Sequence, residues 1–269
     1  SFAKVFSLTK VKLVVSQRTQ YSTKEGAANG LPGYIRKWLL RIAFFVADKV
    51  AAVSQGVADD LVISAALKRD KVFVLNNPVN VERIRQRSAA QEIEWPFHED
   101  NIVIGAVGRL VSSKRFDTLL DAFSLLSEVF PEARLLVLGE GPLLQDLIMQ
   151  AQELGVEKKV VFAGFVNNPF PFMARFDALA VSSQREGFPN VIVQALALGV
   201  PVVSTDCESG PREILREGQY GKLVPVGNAQ SLALGLEEVL KNPDRWRHES
   251  RAKDFSPDVV IESLKRVLY

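Results

Sequence analysis

From Asn101 to Ser204 the chain alternates short apolar, β-branched runs with stretches of helical periodicity, and this alternation restricts the fold more than any other feature. Strands joined through helices run parallel, because each crossover returns the chain to the same end of the sheet. Strands are expected at 102–107, 135–138, 160–163, 178–181 and 200–204, separated by Gly-containing turns. Helices are expected from Phe116, on a stripe of Phe116, Leu119, Leu120 and Phe123, and then at 142–154, 171–176 and 190–198. The fold class is therefore α/β, with one doubly wound domain whose sheet is covered by helices on both faces.

The first hundred residues use the same alternation with fewer elements: strands at 12–15, 49–53 and 71–75, and helices at 31–47 and 56–67. Three strands make a poor sheet. The chain also begins with Ser1 inside an amphipathic segment, so the upstream half of this domain is expected to lie outside the sequence. Asn76-Asn77-Pro78-Val79-Asn80 reads as a linker, since Asn and Pro disfavour both strand and helix. The expected organisation is a partial domain over 1–80, a second domain over 81–242, and C-terminal helices over 243–269 that pack back towards the first.

Composition excludes several classes. With 47% hydrophobic and 24% charged residues over 269 positions, the chain is globular rather than disordered. Its net charge of +2 gives no general affinity for nucleic acid. The single Cys207 rules out an internal disulfide framework or a thiolate metal cluster, fits a reducing cytoplasm, and reads as a small buried hydrophobe. No apolar run reaches the roughly 20 residues of a spanning helix. The helix near Tyr34 carries Ile35, Trp38, Leu39, Ile42, Phe45 and Val46 at helical spacing, flanked by Arg36, Lys37 and Arg41. Core packing is the favoured reading, and an interfacial membrane helix the alternative.

The chemistry concentrates in three turns. Glu186-Gly187-Phe188-Pro189-Asn190-Val191 places an acid and a Gly turn before a helix opened by Pro189, whose unpaired N–H groups suit a phosphate. Glu186 has the wrong sign for that phosphate and is expected to accept hydrogen bonds from hydroxyls on the same ligand, as a sugar nucleotide would offer. Gly108-Arg109-Leu110-Val111-Ser112-Ser113-Lys114 puts two cations at the carboxyl end of a parallel strand, where such sheets bind ligands. Loop cations are often only solvated surface charges; this position favours a clamp. Gly139-Glu140-Gly141-Pro142 ends the next strand, so both turns are expected to present N–H groups to one crevice. Gly105 and Gly108 do not make the dinucleotide fingerprint, no acid ends the second strand, and the Gly-Lys-Ser/Thr phosphate loop is absent. His98 and His248 lie in polar stretches and read as surface residues.

Together, Gly108-Arg109-Leu110 with Lys114-Arg115-Phe116, Gly139-Glu140-Gly141-Pro142, Glu186-Gly187-Phe188-Pro189-Asn190 and Gly210-Pro211-Arg212-Glu213 resemble the retaining glycosyltransferases of family 4. The resemblance runs from Ala52-Val53-Ser54-Gln55-Gly56 to Gly221-Lys222-Leu223-Val224-Pro225. It implies the GT-B architecture, two Rossmann-like domains facing each other across a cleft, with the nucleotide-sugar donor on the second and a glycan or lipid-linked acceptor on the first. It implies that Arg109 and Lys114 bind the donor diphosphate and that Glu186 contacts the transferred sugar. Gly108, Gly139 and Gly141 are expected in the donor site, and Gly187, Phe188, Pro189, Asn190 and Val191 are expected to complete the cradle.

Gln194 stands where the family usually has a second Glu, on the ribose. The Gly210–Leu215 segment resembles the bacterial surface-polysaccharide branch, which often uses UDP-linked sugars, works in the cytoplasm and meets the inner face of an anionic membrane. Family members often carry a His in the acceptor domain, and none precedes His98 here. A departing diphosphate needs fixed cations and helix ends more than a strong base, so no metal and no cofactor is expected. The competing readings are a donor-binding module without catalysis, favoured by Gln194, and a dinucleotide oxidoreductase, disfavoured by the glycine spacing.

Overall fold

The computed structural model describes residues 12–22, 33–90 and 92–268, which form two parallel sheets. The first sheet has three strands, β1 (Val14–Gln17), β2 (Lys49–Ala52) and β3 (Val72–Val74), in that spatial order. Helices α1 (Gly33–Val46) and α2 (Gln55–Ser64) are its crossovers. The expected strand at 12–15 starts later than expected, with Val14 opposite Lys49 and Gln17 opposite Ala52. Residues 23–32, which include the expected start of the first helix, lie outside the described residues.

The face of α1 departs from expectation. Leu40, Phe44 and Ala47, spaced i, i+4, i+7, turn to the core, while Trp38 and Phe45 are 62% and 86% exposed. Leu39 is exposed as well. The helix is apolar nearly all round, so more than one stripe fits its spacing, and the sheet takes the narrower one.

A short helix α3 (Val81–Ala89), capped by the Asn80 side chain, leads to the second sheet. Six strands lie in the order β6-β5-β4-β7-β8-β9. They are β4 (Ile102–Val107), β5 (Ala133–Leu138), β6 (Val160–Phe162), β7 (Ala178–Val181), β8 (Val202–Thr205) and β9 (Lys222–Val224). Helix α4 (Phe116–Val129) follows β4 and buries the expected Phe116, Leu119, Leu120 and Phe123 together with Leu126. Helices α5 (Leu144–Glu153), α6 (Phe170–Met173), α7 (Asn190–Ala197), α8 (Pro211–Ile214) and α9 (Ala229–Lys241) complete the wrapping. Helices α10 (Glu249–Ala252) and α11 (Pro257–Leu268) close the chain.

The period of two along β5 divides the core. Leu135 and Val137 join α4 and α9 on one face; Leu136 and Leu138 join α6 and α7 on the other. The second cluster continues into the first lobe through Val53, Val57, Ala58 and Leu61, so the lobes share one apolar core. Polar contacts register them. The Glu213 carboxylate accepts the Gln55 N–H at 2.7 Å and the Asn76 side-chain amide at 3.2 Å, placing an anion at the N-terminus of α2. In the C-terminal segment, Phe255 accepts the Val79 N–H at 2.8 Å and stacks edge-on against Phe188. The Arg251 guanidinium donates to the Glu213 and Ile214 carbonyls.

Candidate functional site

The strand order reverses at β4, with β5 and β6 on one side and β7, β8 and β9 on the other. The helices that follow β4 and β7 pack on opposite faces of the sheet, and the carboxyl ends of strands at such a switch are where these sheets bind ligands. The loop after β4 carries Arg109 and Lys114; the loop after β7 carries Ser183, Arg185 and Glu186. The two loops are tied together: Ser182 Oγ donates to the Lys114 carbonyl and the Gln184 N–H to the Ser113 carbonyl, both at 2.8 Å. Arg115, at φ 50°, turns the chain into α4. Its Nε donates to both Asp117 oxygens at 3.0 Å, and that hydrogen-bonded carboxylate raises the guanidinium pKa further.

A cavity of about 190 Å³ brings Arg109, Lys114 and Glu186 together, and adds Arg185, Ser113 and Gly187. Thr19 and Gln20, from the loop after β1, line it from the first lobe. Lys114 Nζ lies 2.6 Å from Glu186 Oε1, with the two side chains 28% and 10% exposed. Ser183 Oγ donates to the same Oε1 at 2.7 Å. Behind the carboxylate, Cys207 is buried; desolvation, and then the Glu186 charge, push its thiol pKa up to about 12, so it stays a neutral packing group.

Arg109 also borders a second cavity of about 380 Å³, lined by Val107, Gly108, Leu138, Gly139, Glu140, Phe165, Val166 and Pro169. Phe165 is 72% exposed there although it is a large apolar ring, which marks a surface suited to a flat partner. The crevice thus pairs a charged chamber with an apolar one, and Arg109 stands between them.

Gly108 and Gly139 line the larger cavity and Gly187 the smaller one, and the glycines also let backbone segments meet. The N–H groups of Gly108, Leu110 and Gly139 donate to Leu138, Glu140 and Gly164, so these amides bridge turns instead of facing the crevice. A Cβ on Gly139, at φ +145°, would overlap the Gly108 carbonyl, and one on Gly141 would overlap that of Leu110. At Gly187 the backbone that comes close is the Arg18 carbonyl of the first lobe, so lobe contact requires this glycine.

The remaining expected site residues divide. Val191 faces a small recess shared with Lys114 and Glu186. Phe188 and Pro189 are buried, Asn190 accepts the Asn77 amide at 3.0 Å, and Gly141, Gln194, Phe188, Pro189 and Asn190 line neither cavity. Helix α7 begins at Asn190 with no side-chain cap, and the Ile192 N–H of its first turn donates to the Pro189 carbonyl at 3.0 Å. His98 is exposed and His248 stacks on Tyr220, away from the site. Among the described residues no cluster of His, Cys, Asp and Glu is arranged to hold a metal, and no helix is long and apolar enough to cross a membrane. Arg185, Ser183, Thr19 and Gln20 escaped the sequence reading. A third cation beside Glu186 was a usable signal; the other three are ordinary polar residues until the fold collects them.

The family described as "Glycosyl transferases group 1" matches residues 88–255. A Campylobacter jejuni protein, N-acetylgalactosamine-N,N'-diacetylbacillosaminyl-diphospho-undecaprenol 4-alpha-N-acetylgalactosaminyltransferase, is 32% identical over 266 residues, covering 96% of this chain and 70% of that one. The lipopolysaccharide core biosynthesis glycosyltransferase LpsE of Rhizobium meliloti is 35% identical over 85% of this chain and 66% of its own length. Among solved structures, Anabaena HepE in complex with UDP and glucose superposes with a TM-score of 0.79 at 22% identity, covering 96% of this chain and 71% of that one. The structural likeness bears out the two-lobed GT-B architecture.

Proposed function

Because the chain belongs to the group 1 glycosyl transferases, we propose that it is a retaining hexosyltransferase, moving a sugar from a UDP-linked hexose or N-acetylhexosamine to a glycan or lipid-linked acceptor in bacterial surface-polysaccharide synthesis. One observation carries this reading: Arg109, Lys114 and Arg185 share a chamber with Glu186, and Arg109 leads on to the apolar cavity. The base would lie against Phe165 and Val166, the diphosphate beside the cations, and the sugar against Glu186 and the first-lobe residues Thr19 and Gln20. Relatives named for undecaprenol-linked and lipopolysaccharide-core transfer support the acceptor class.

In the proposed reaction the donor's C1–O bond to the diphosphate breaks and an acceptor hydroxyl oxygen bonds to C1 on the same face. The hydroxyl proton passes to the departing phosphate oxygen, so no strong protein base is required. Fixed guanidinium and ammonium groups stabilise the charge that develops on that oxygen, the role a metal plays elsewhere. The scheme uses no cofactor. The exposed Trp38, Leu39 and Phe45 of α1, beside Arg41, would rest peripherally on an anionic membrane at the inner face, near lipid-linked acceptor. Flotation with anionic vesicles tests that contact, and absence of lipid-dependent binding removes it.

Thermal denaturation with UDP, UDP-sugars, other nucleotide sugars and NAD tests the donor assignment. UDP and at least one UDP-sugar are expected to raise the Tm and NAD to leave it unchanged; stabilisation by NAD alone would overturn the assignment.

A further inference from the structure

Among the described residues, side chains hold Glu186 through one oxygen. Lys114 Nζ and Ser183 Oγ both meet Oε1, at 2.6 and 2.7 Å, while Oε2 has no hydrogen-bond partner among the described residues. Glu186 lines the chamber, so Oε2 is the carboxylate oxygen left for a ligand there. The two donors to Oε1 differ in kind. Lys114 sits on a flexible stem, 28% exposed, and lines the chamber where a diphosphate would compete for its ammonium. Ser183 is 2% exposed at the end of β7, its carbonyl accepts from the buried Thr205 hydroxyl, and it has no stem to swing. The Ser209 hydroxyl donates to the main-chain carbonyl of Glu186, fixing the backbone as well.

We propose that Ser183 is a positioning residue for Glu186: it keeps Oε1 tethered when the donor diphosphate draws Lys114 away, so that Oε2 remains aimed at the sugar hydroxyls. This rests on the reading of Glu186 as the group that grips the sugar. As the side chains stand, Lys114 and Ser183 share the carboxylate; with donor bound, Ser183 alone would hold it. A carboxylate with no fixed donor would sample several rotamers, and only a fraction of them would present Oε2 to the ring.

Calorimetric titration of UDP and of a UDP-sugar panel (glucose, galactose and their N-acetylamino forms) into wild type, Ser183→Ala, Ser183→Thr and Glu186→Gln tests the proposal. The readout is the gain in affinity that the sugar adds over UDP alone. Ser183→Ala is expected to cut this gain about tenfold while leaving UDP affinity within about twofold, and Ser183→Thr, which keeps the hydroxyl, is expected to restore it. Loss of the gain in Glu186→Gln with full retention in Ser183→Ala would overturn the role of Ser183. Equal weakening of UDP and UDP-sugar in Ser183→Ala would also overturn it, as general damage to the site. Retention of the gain in Glu186→Gln, or no gain in wild type with any sugar, would instead overturn the sugar-gripping reading beneath it.

Discussion

Replacing Lys114 by Met removes an ammonium that has two candidate partners, the Glu186 carboxylate it meets at 2.6 Å and the phosphate it would meet in the occupied site. If the ion pair is only structural, the loss falls on stability. Glu186 is 10% exposed and would keep only the Ser183 hydroxyl, so about 1–3 kcal/mol is expected. If Lys114 also stabilises the leaving diphosphate, the loss falls on the transition state. A missing donor of this kind costs about 3 kcal/mol, which at about 1.36 kcal/mol per decade is roughly 150-fold in kcat/KM. The double variant Lys114→Met with Glu186→Gln separates the two. It leaves no stranded charge, so its Tm is expected to recover, yet its kcat/KM is expected to stay about a hundredfold below that of Glu186→Gln alone. Glu186→Gln by itself is expected to tighten UDP several-fold, because Lys114 loses its competing partner and a like charge leaves the diphosphate's side. Coupled UDP-release kinetics, UDP calorimetry and thermal melts give the three readouts. A double variant no slower than Glu186→Gln, with unchanged UDP affinity in Lys114→Met, would refute the clamp.

Glu213→Ala removes the anion at the start of α2, with an expected cost of about 1 kcal/mol and a Tm lower by about 2–4 °C; an unchanged Tm would show that the cap between lobes contributes nothing. Gln194→Glu is expected to tighten UDP-sugar binding about fivefold, as a charged acceptor replaces a neutral one. Equal or weaker affinity by calorimetry would dismiss position 194 as a ribose contact. Cys207 gives a pH test: its thiol pKa is raised from 9.0 to about 12, so the stabilisation from keeping it neutral is complete below pH 9 and is lost as pH rises towards 12. Denaturant melts should show this decline in wild type and not in Cys207→Ala, and matching profiles would contradict the assignment.

The second sheet was legible because its strands are continuous apolar runs and the α4 stripe repeats at helical spacing. Arg109, Lys114 and Glu186, which share one chamber, were legible as a group because they lie in the loops that follow the two strands flanking the switch in strand order. Strand β9 was missed, since Lys222-Leu223-Val224 is too short to show a period. Helix α3 was missed because it is short and carries only two buried apolar residues, Val81 and Ile84, directly after a segment read as a linker. The face of α1 was misread because apolar residues surround the helix, and only the sheet selects Leu40, Phe44 and Ala47. Glycines were the least legible. Sequence alone does not say whether a missing Cβ makes room for ligand, for a neighbouring turn as at Gly139, or for the other lobe as at Gly187.

On the proposed function, a chain with a net charge of only +2 would favour a leaving diphosphate through charge gathered in the chamber. Among the described residues that line the chamber, Arg109, Lys114 and Arg185 accompany the carboxylate of Glu186, so cations and an anion meet at one place. Binding and catalysis would draw on that arrangement differently. On the proposed reading a bound donor would already meet the cations, and as its C1–O bond broke the diphosphate would gain a further negative charge while the sugar ring became positive. The cations would then attract their side more strongly, and Glu186, held by Ser183, would face the ring with the opposite sign. Both contributions would grow from ground state to transition state, and such a difference is what accelerates a reaction. A uniformly basic cleft would bind the donor as well, yet would oppose the positive ring. Charge reversal at Glu186 should therefore depress kcat far more than UDP affinity: Glu186→Lys is expected to keep or improve UDP binding while reducing kcat at least a hundredfold. Matched losses in UDP affinity and kcat would show instead that Glu186 serves the fold of the loop, and that the division of charge across the chamber has no part in the chemistry.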